Sequence, residues 1–379
     1  MEVKQMLWTS AQGWEPALRS EADDRSQFVM VFGATRLLQE RKLLGDIRKS
    51  YPKALLLGCS TAGEIEGIRV LDNSLVVTAV HFDHTEVRLA STEIRGAEDS
   101  YSAGARIAGE LRKDGLVHVF ALSDGLSVNG SELVKGLAAN IPEHVQVTGG
   151  LAGDADRFRH TLVLHGQEAH EGIVAVVGFY GDRLKASCGS LGGWDPFGPE
   201  RLITRSRGNV LYELDGQSAL DLYENYLGKH AKGLPATGLL FPLSLRTGED
   251  STWIVRTILS VDREEHSLTF AGDVPEGSHA RLMMANFDRL IDGAAGAARA
   301  TSDGLAGGSA QLAVLISCVG RKLILKQRVE EEVEGVQDIL GQDCALAGFY
   351  SYGEISPFTP GAKCELHNQT MTITAFMEG

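Results

Sequence analysis

The chain has 379 residues, more than one ordinary core of about 100–200 residues accommodates, so two domains or two tightly joined halves are expected. Its composition, 43% hydrophobic and 23% charged, is that of a globular protein and leaves no tract polar enough to stay unfolded. A formal net charge of -14 with no run of five or more Lys or Arg argues against nucleic-acid and anionic-membrane partners. The opening residues MEVKQMLWTS lack a basic segment followed by an apolar run. No stretch reaches the roughly 18 uncharged residues of a membrane span, so a cytoplasmic protein without membrane insertion is expected.

In chain order, 27–33 (QFVMVFG) and 54–60 (ALLLGCS) read as buried strands flanking a helical pattern over 35–50, a strand–helix–strand unit. Further strands are expected at 74–82, 87–91, 116–123 and 145–148, with helices at 103–113 and 129–140. Strand-like runs at 172–180 and 183–190 follow with no helix between them, which points to antiparallel neighbours and so to an α/β fold of mixed sheets. WDPFGP at 194–199 punctuates the pattern near the expected boundary. Beyond it come a strand at 201–205, a helix at 217–227 and short strands to residue 269. A helix over 281–299, a glycine-rich loop over 301–308 and a final strand, helix and strand complete the pattern.

An internal repeat organises the reading. Gly-x-x-x-x-Gly-Glu-Ile occurs as GCSTAGEI at 58–65 and as GFYSYGEI at 348–355. Each copy follows a strand–helix–strand approach and precedes an Asn-led strand, DNSLVVTAVHF or HNQTMTITAF. Two related α/β halves packed about a pseudo-two-fold interface are therefore expected, with a ligand cleft between them.

In the first copy Ser60 and Thr61 are candidate donors and Glu64 a fixed anion; Tyr352 and Glu354 are their counterparts in the second. The bland alternative is a tight turn with Glu64 paired to a neighbouring base. GGLAGD at 149–154 suggests a backbone cradle for an acidic group with Arg157 nearby, or a plain glycine turn, and lacks the order of a dinucleotide loop or a P-loop. Cys59 or Ser60 could be imagined as an acyl-transfer nucleophile, but TAGEIEGIRVLDN offers no helix to complete a nucleophile elbow.

The five cysteines form no Cys-x-x-Cys pair and are expected to be reduced core thiols. Of the histidines, HFDH (His81, His84), LHGQEAH (His165, His170) and His367 invite metal or haem ligation. His367 leads because it adjoins Asn368 and the repeated strand.

GCSTAGEI after its ALLL strand, GGLAGDADRF, and the trio CVGRK, GFYSYGEI and LHNQTMTITAF together resemble the paired FIST N and FIST C domains, over most of the chain. The resemblance implies a FIST N-type sensory domain over 1–207 and a FIST C-type sensory domain over 208–379, a signal-transduction protein and not an enzyme. The segment GWDPFGPERLITRSRGNVLYELDGQSALDLYENYLG is further similar to a bacterial branch called NosP. That likeness implies non-covalent haem b, nitric oxide as the sensed ligand, a sensor histidine kinase as partner and effects on biofilm behaviour. His367 would then be the metal ligand, with Ser60, Thr61, Glu64, Arg157, Tyr352, Glu354 and Asn368 lining the site. The alternative is a metal-free sensor of a small polar metabolite such as an amino acid; association into a homo-oligomer is left open.

Overall fold

A computed structural model describes residues 1–17, 22–248, 253–358 and 362–379. The chain builds one unit three times. The first comprises β1 (Glu2–Thr9) with a short β2 (Gly13–Glu15), β3 (Phe28–Gly33), α1 (Thr35–Leu38), α2 (Arg41–Ser50), β4 (Leu55–Ser60), the hairpin β5 (Glu64–Glu66) and β6 (Arg69–Leu71), and β7 (Leu75–His81). The second runs β8 (Glu86–Glu93), α3 (Ser100–Glu110), β9 (Leu116–Ser123), α4 (Gly130–Asn140), β10 (Gln146–Leu151), the hairpin β11 (Val163–His165) and β12 (Glu168–His170), and β13 (Ile173–Tyr180).

The third unit opens with β14 (Leu184–Leu191) and is then interrupted by a module. That module contains β15 (Asp195–Pro196), β16 (Arg201–Arg207), β17 (Val210–Leu214), β18 (Gln217–Ser218) and α5 (Ala219–Leu227). It continues through β19 (Leu243–Arg246), β20 (Ile254–Arg256), β21 (Ile258–Asp262), β22 (Ser267–Phe270) and β23 (His279–Met284). The unit resumes with α6 (Phe287–Gly304), β24 (Leu312–Cys318), α7 (Val319–Leu325), α8 (Val329–Leu340), β25 (Ala345–Ser351), the hairpin β26 (Gly353–Pro357) and β27 (Cys364–His367), and β28 (Met371–Glu378).

Each unit forms one mixed sheet with the same strand order: β4-β3-β7-β1, β10-β9-β13-β8 and β25-β24-β28-β14. In each, the pair joined through a helix is parallel and the other pairs are antiparallel. The hairpin of each unit leaves its own sheet. β5 pairs with β25 of the third unit, β26 with β10 of the second, and β11 with β4 of the first. The exchange closes in a ring of three. Mixed α/β sheets are as the sequence predicts, and the two related halves are the first and third units; a further copy lies between them.

The alternation of β3 explains why its FVMVFG is buried throughout. Phe28, Met30 and Phe32 point into a central core shared with Phe120, Ile316 and Phe349 of the other two sheets. Val29 and Val31 point outward against Leu43, Leu44 and Ile47 of α2. The helix pairs α3–α4 and α6–α8 cover the outer faces of the second and third sheets in the same way.

The inserted module has its own core around Ile203, Leu211, Tyr223, Phe270 and Leu282, separate from that of the three-sheet body. Of the predicted boundaries that shift, one helix moves furthest. The helix expected over 281–299 begins at Phe287, because β23 runs to Met284 and the Asn286 side chain accepts the Arg289 N–H at 3.4 Å as an N-cap. It then continues through the first part of the expected 301–308 loop.

Candidate functional site

The repeated loops meet at the centre of the ring and are stitched together through their backbones. Gly153 N–H donates to Ser60 O at 2.8 Å, Ala62 N–H to Tyr350 O at 2.8 Å, Tyr350 N–H to Gly63 O at 2.8 Å and Tyr352 N–H to Leu151 O at 3.3 Å. Ser60, Thr61, Glu64, Arg157, Tyr352 and Glu354 are thus brought into one region, as parts of a packed junction.

The two glutamates occupy matching settings. Glu64 accepts from Thr61 Oγ1 at 2.5 Å, Ser74 Oγ at 2.7 Å and Ser74 N at 3.1 Å. Glu354 accepts from Ser351 Oγ at 2.6 Å, Thr370 Oγ1 at 2.9 Å and Thr370 N at 3.1 Å. Burial pushes each carboxyl up to about 7, against the pull of those hydrogen bonds. Each carboxylate ties the loop that enters the exchanged hairpin to the start of its own unit's last strand.

Ser60 is fully buried and its Oγ accepts from Leu162 N at 2.8 Å. Neighbouring Cys59 is fully buried, burial holds its thiol well above the usual range, and a strand follows it where an elbow would need a helix. Neither is poised as a nucleophile. Arg157 is half exposed and pairs with Asp154 through Nη2 at 2.5 Å and Nε at 3.0 Å, while Thr35 Oγ1 donates to Asp154 at 2.8 Å. The Tyr352 ring stacks on Phe158 at 4.4 Å and its hydroxyl bridges Phe158 N and Ala155 O, each at 3.2 Å.

His367 lies opposite Glu354 in the β26–β27 hairpin and is 1% exposed. Its Nε2 donates to Ser356 O at 2.9 Å, and the Phe358 ring sits 5.5 Å away. Burial drops its pKa to about 4, so it is a neutral core imidazole. Asn368 is equally buried, and its side-chain amide has no hydrogen-bond partner among the described residues.

Two cavities open at the surface of the body. One, about 530 Å³, is lined by His165, His170, Glu93, Glu171 and Ser91 with Ile94 and Ile173. The other, about 360 Å³, lies between the body and the inserted module: α4 and β27 form one wall, and β19, β20 and the segment carrying Asp273 the other. Arg256, Ser131, Lys135, Asp273 and Glu365 face it, and none of them was singled out from the sequence. The one available signal is an arginine interrupting the apolar strand WIVRTI.

The model for the FIST N domain matches residues 27–217, half of the chain, and that for the FIST C domain matches 219–357. The chain belongs to the FIST family. FIST domains are sensory domains of signal transduction. It is also similar to the "Uncharacterized protein MJ1623" of Methanocaldococcus jannaschii, 24% identical over an alignment of 354 residues that covers 86% of this chain and 65% of that protein. The chain thus spans just under two thirds of that relative's length.

Among solved structures it is similar to cyanuric acid hydrolase from A. caulinodans, with a TM-score of 0.38, 7% identity and coverage of 100% of this chain and 98% of that one. A second cyanuric acid hydrolase matches with a TM-score of 0.37, 10% identity and coverage of 100% and 99%. The expectation that this FIST protein is not an enzyme is withdrawn, since both of these neighbours are named as hydrolases. At these scores no hydrolase chemistry passes to this chain.

Haem, implied by the resemblance to one FIST branch, needs an apolar slot with a reachable axial ligand. His367 does not fit: its ring is enclosed and its Nε2 committed to Ser356. The histidine-lined cavity is no apolar slot: Glu93, Glu171, Ser91 and Thr92 share its walls with Ile94 and Ile173. No helix among the described residues is long and apolar enough to cross a membrane.

Proposed function

We propose that this FIST protein is a sensory module that binds a small polar metabolite in the cleft between the three-sheet body and the inserted module. One observation carries the reading: two bodies with separate hydrophobic cores face each other across a cavity of about 360 Å³ whose walls come from both. The module joins the body by only two covalent connections, after β14 and before α6. A ligand touching both walls favours one relative position of the bodies over another, which is what a sensor must convert into a changed surface. A sensor histidine kinase as the reader of that surface rests on the family resemblance alone.

The test is a thermal-shift screen of amino acids, organic acids and sugars on the full chain and on an Ala138→Trp variant, which fills the cleft from α4. A hit that raises Tm in the parent and not in the variant supports the reading. A parallel haemin titration gives no saturable Soret band on this reading. A saturable band that moves with nitric oxide and is lost in His367→Ala would replace it with haem sensing.

A further inference from the structure

Arg256 is 7% exposed, and a guanidinium so enclosed is normally matched by a carboxylate. Here it forms no ion pair among the described residues. Its Nε donates to Asp273 O at 3.2 Å and its Nη1 to Leu366 O at 3.0 Å and Val255 O at 3.3 Å, all backbone carbonyls. Of its five N–H groups, the two on Nη2 have no acceptor among the described residues.

Across the same cavity Ser131, in the first turn of α4, is also 7% exposed, and its Oγ has no hydrogen-bond partner among the described residues. The acids on the walls, Asp273 and Glu365, act on the arginine through space but form no ion pair with it among the described residues. Asp273 is held by Asn129 Nδ2 at 3.1 Å and Lys135 Nζ at 3.3 Å, and Glu365 comes no nearer than the 4.0 Å of an ion pair. Lys135 is shared between Asp273 at 3.3 Å and Glu132 at 2.6 Å, so what the cavity leaves open is the hydrogen-bonding capacity of Arg256 Nη2.

We propose that this cleft is a carboxylate-binding site in which Arg256 Nη2 and Ser131 Oγ take the carboxylate of a small organic acid. The guanidinium fork suits a planar carboxylate, and its three backbone bonds hold it in position before any ligand arrives. The apolar stems of Val134, Ala138 and Ile254 leave space for a short carbon chain. This inference rests on the sensory reading of the cleft and adds the chemical class of its ligand.

The experiment is isothermal titration of the full chain with acetate and succinate, using acetamide as the uncharged match. Saturable binding of an acid and none of acetamide is expected. Ser131→Ala removes a hydroxyl that bonds nothing among the described residues, so it should keep the parent's Tm and weaken binding about tenfold, the loss of one charge-assisted hydrogen bond. Arg256→Lys, which keeps the charge and removes the fork, should weaken it about a hundredfold.

Acetamide binding as tightly as acetate, no acid binding at millimolar concentration, or an unaltered affinity in Ser131→Ala overturns the carboxylate site. The cleft reading survives that result if a ligand of another class still loses its binding in Ala138→Trp. It falls with the inference if no ligand's binding is sensitive to that variant.

Discussion

Glu64 and Glu354 each receive two hydroxyls and one backbone N–H, and each is enclosed enough that burial moves its carboxyl to about 7. A carboxyl whose native pKa lies above its unfolded value of about 4.5 holds a proton that the unfolded chain has already lost, so its contribution to stability falls as pH rises from about 4.5 to 7. His367, lowered to about 4, acts with the opposite sign: stability is lost as pH falls from about 6.5 towards 4. The two effects oppose each other over most of that range, so the parent's own pH curve does not separate them. Glu64→Gln and Glu354→Gln should reveal the first. Relative to the parent, each variant should gain up to about 3 kcal/mol between pH 5 and pH 8 in urea unfolding. Parallel pH dependences of parent and variant would show that these carboxyls are not buried as described.

Gly58, Gly149 and Gly348 explain the repeat at the scale of the element. Each occupies the same register in its sheet, beside Val31, Ala121 and Leu315, and a Cβ at each would lie 1.9, 1.8 and 1.9 Å from that partner's carbonyl oxygen. The incoming hairpin then lays Leu164, Ile355 and Ile65 opposite Gly58, Gly149 and Gly348. The spacing Gly-x-x-x-x-Gly-Glu-Ile is therefore the length of chain from a strand that needs a glycine to the apolar residue that caps a different sheet. Gly348→Ala should cost about 3 kcal/mol or more in chemical unfolding. Gly45→Ala, on an open stretch of α2, should stabilise by about 0.5–1 kcal/mol. Equal effects of the two would contradict the close packing.

Two of the three units were legible because their loops are equally short. The middle unit escaped notice because a longer excursion separates Gly149 from Leu164. There the carboxylate comes from Asp124 at the end of β9, which accepts from Thr161 Oγ1 at 3.0 Å and Gly172 N at 3.1 Å. The glutamates attracted attention as ligand groups, yet their chemistry is spent inside the fold. The cleft was not legible at all, since Ser131 and Arg256 are far apart in sequence and only the placement of the inserted module brings them together.

For the whole molecule, the exchanged hairpins mean that no unit completes its own sheet. β10 is flanked by β9 of its own unit and by β26, which belongs to the last. Residues 1–207 and 208–379, the expected domains, therefore share sheets as well as surfaces. Expressed separately, the 1–207 fragment should lack β10's partner β26 and part of the central core, and its amides in β9, β10 and β13 should exchange rapidly, as measured by hydrogen exchange. Protection equal to that in the full chain would show that the ring is dispensable.

The same ring bears on how the protein is made. During synthesis β10 and its apolar neighbours emerge long before β26 and β27, and at ribosomal speed the bare edge waits roughly ten seconds or more for its partner. A growing chain in that condition displays a strand that any other unfinished copy can borrow. Polysomes crowded with this message are therefore where swapped or aggregated products would first arise, and slowing initiation should raise the soluble yield more than lowering the temperature after synthesis.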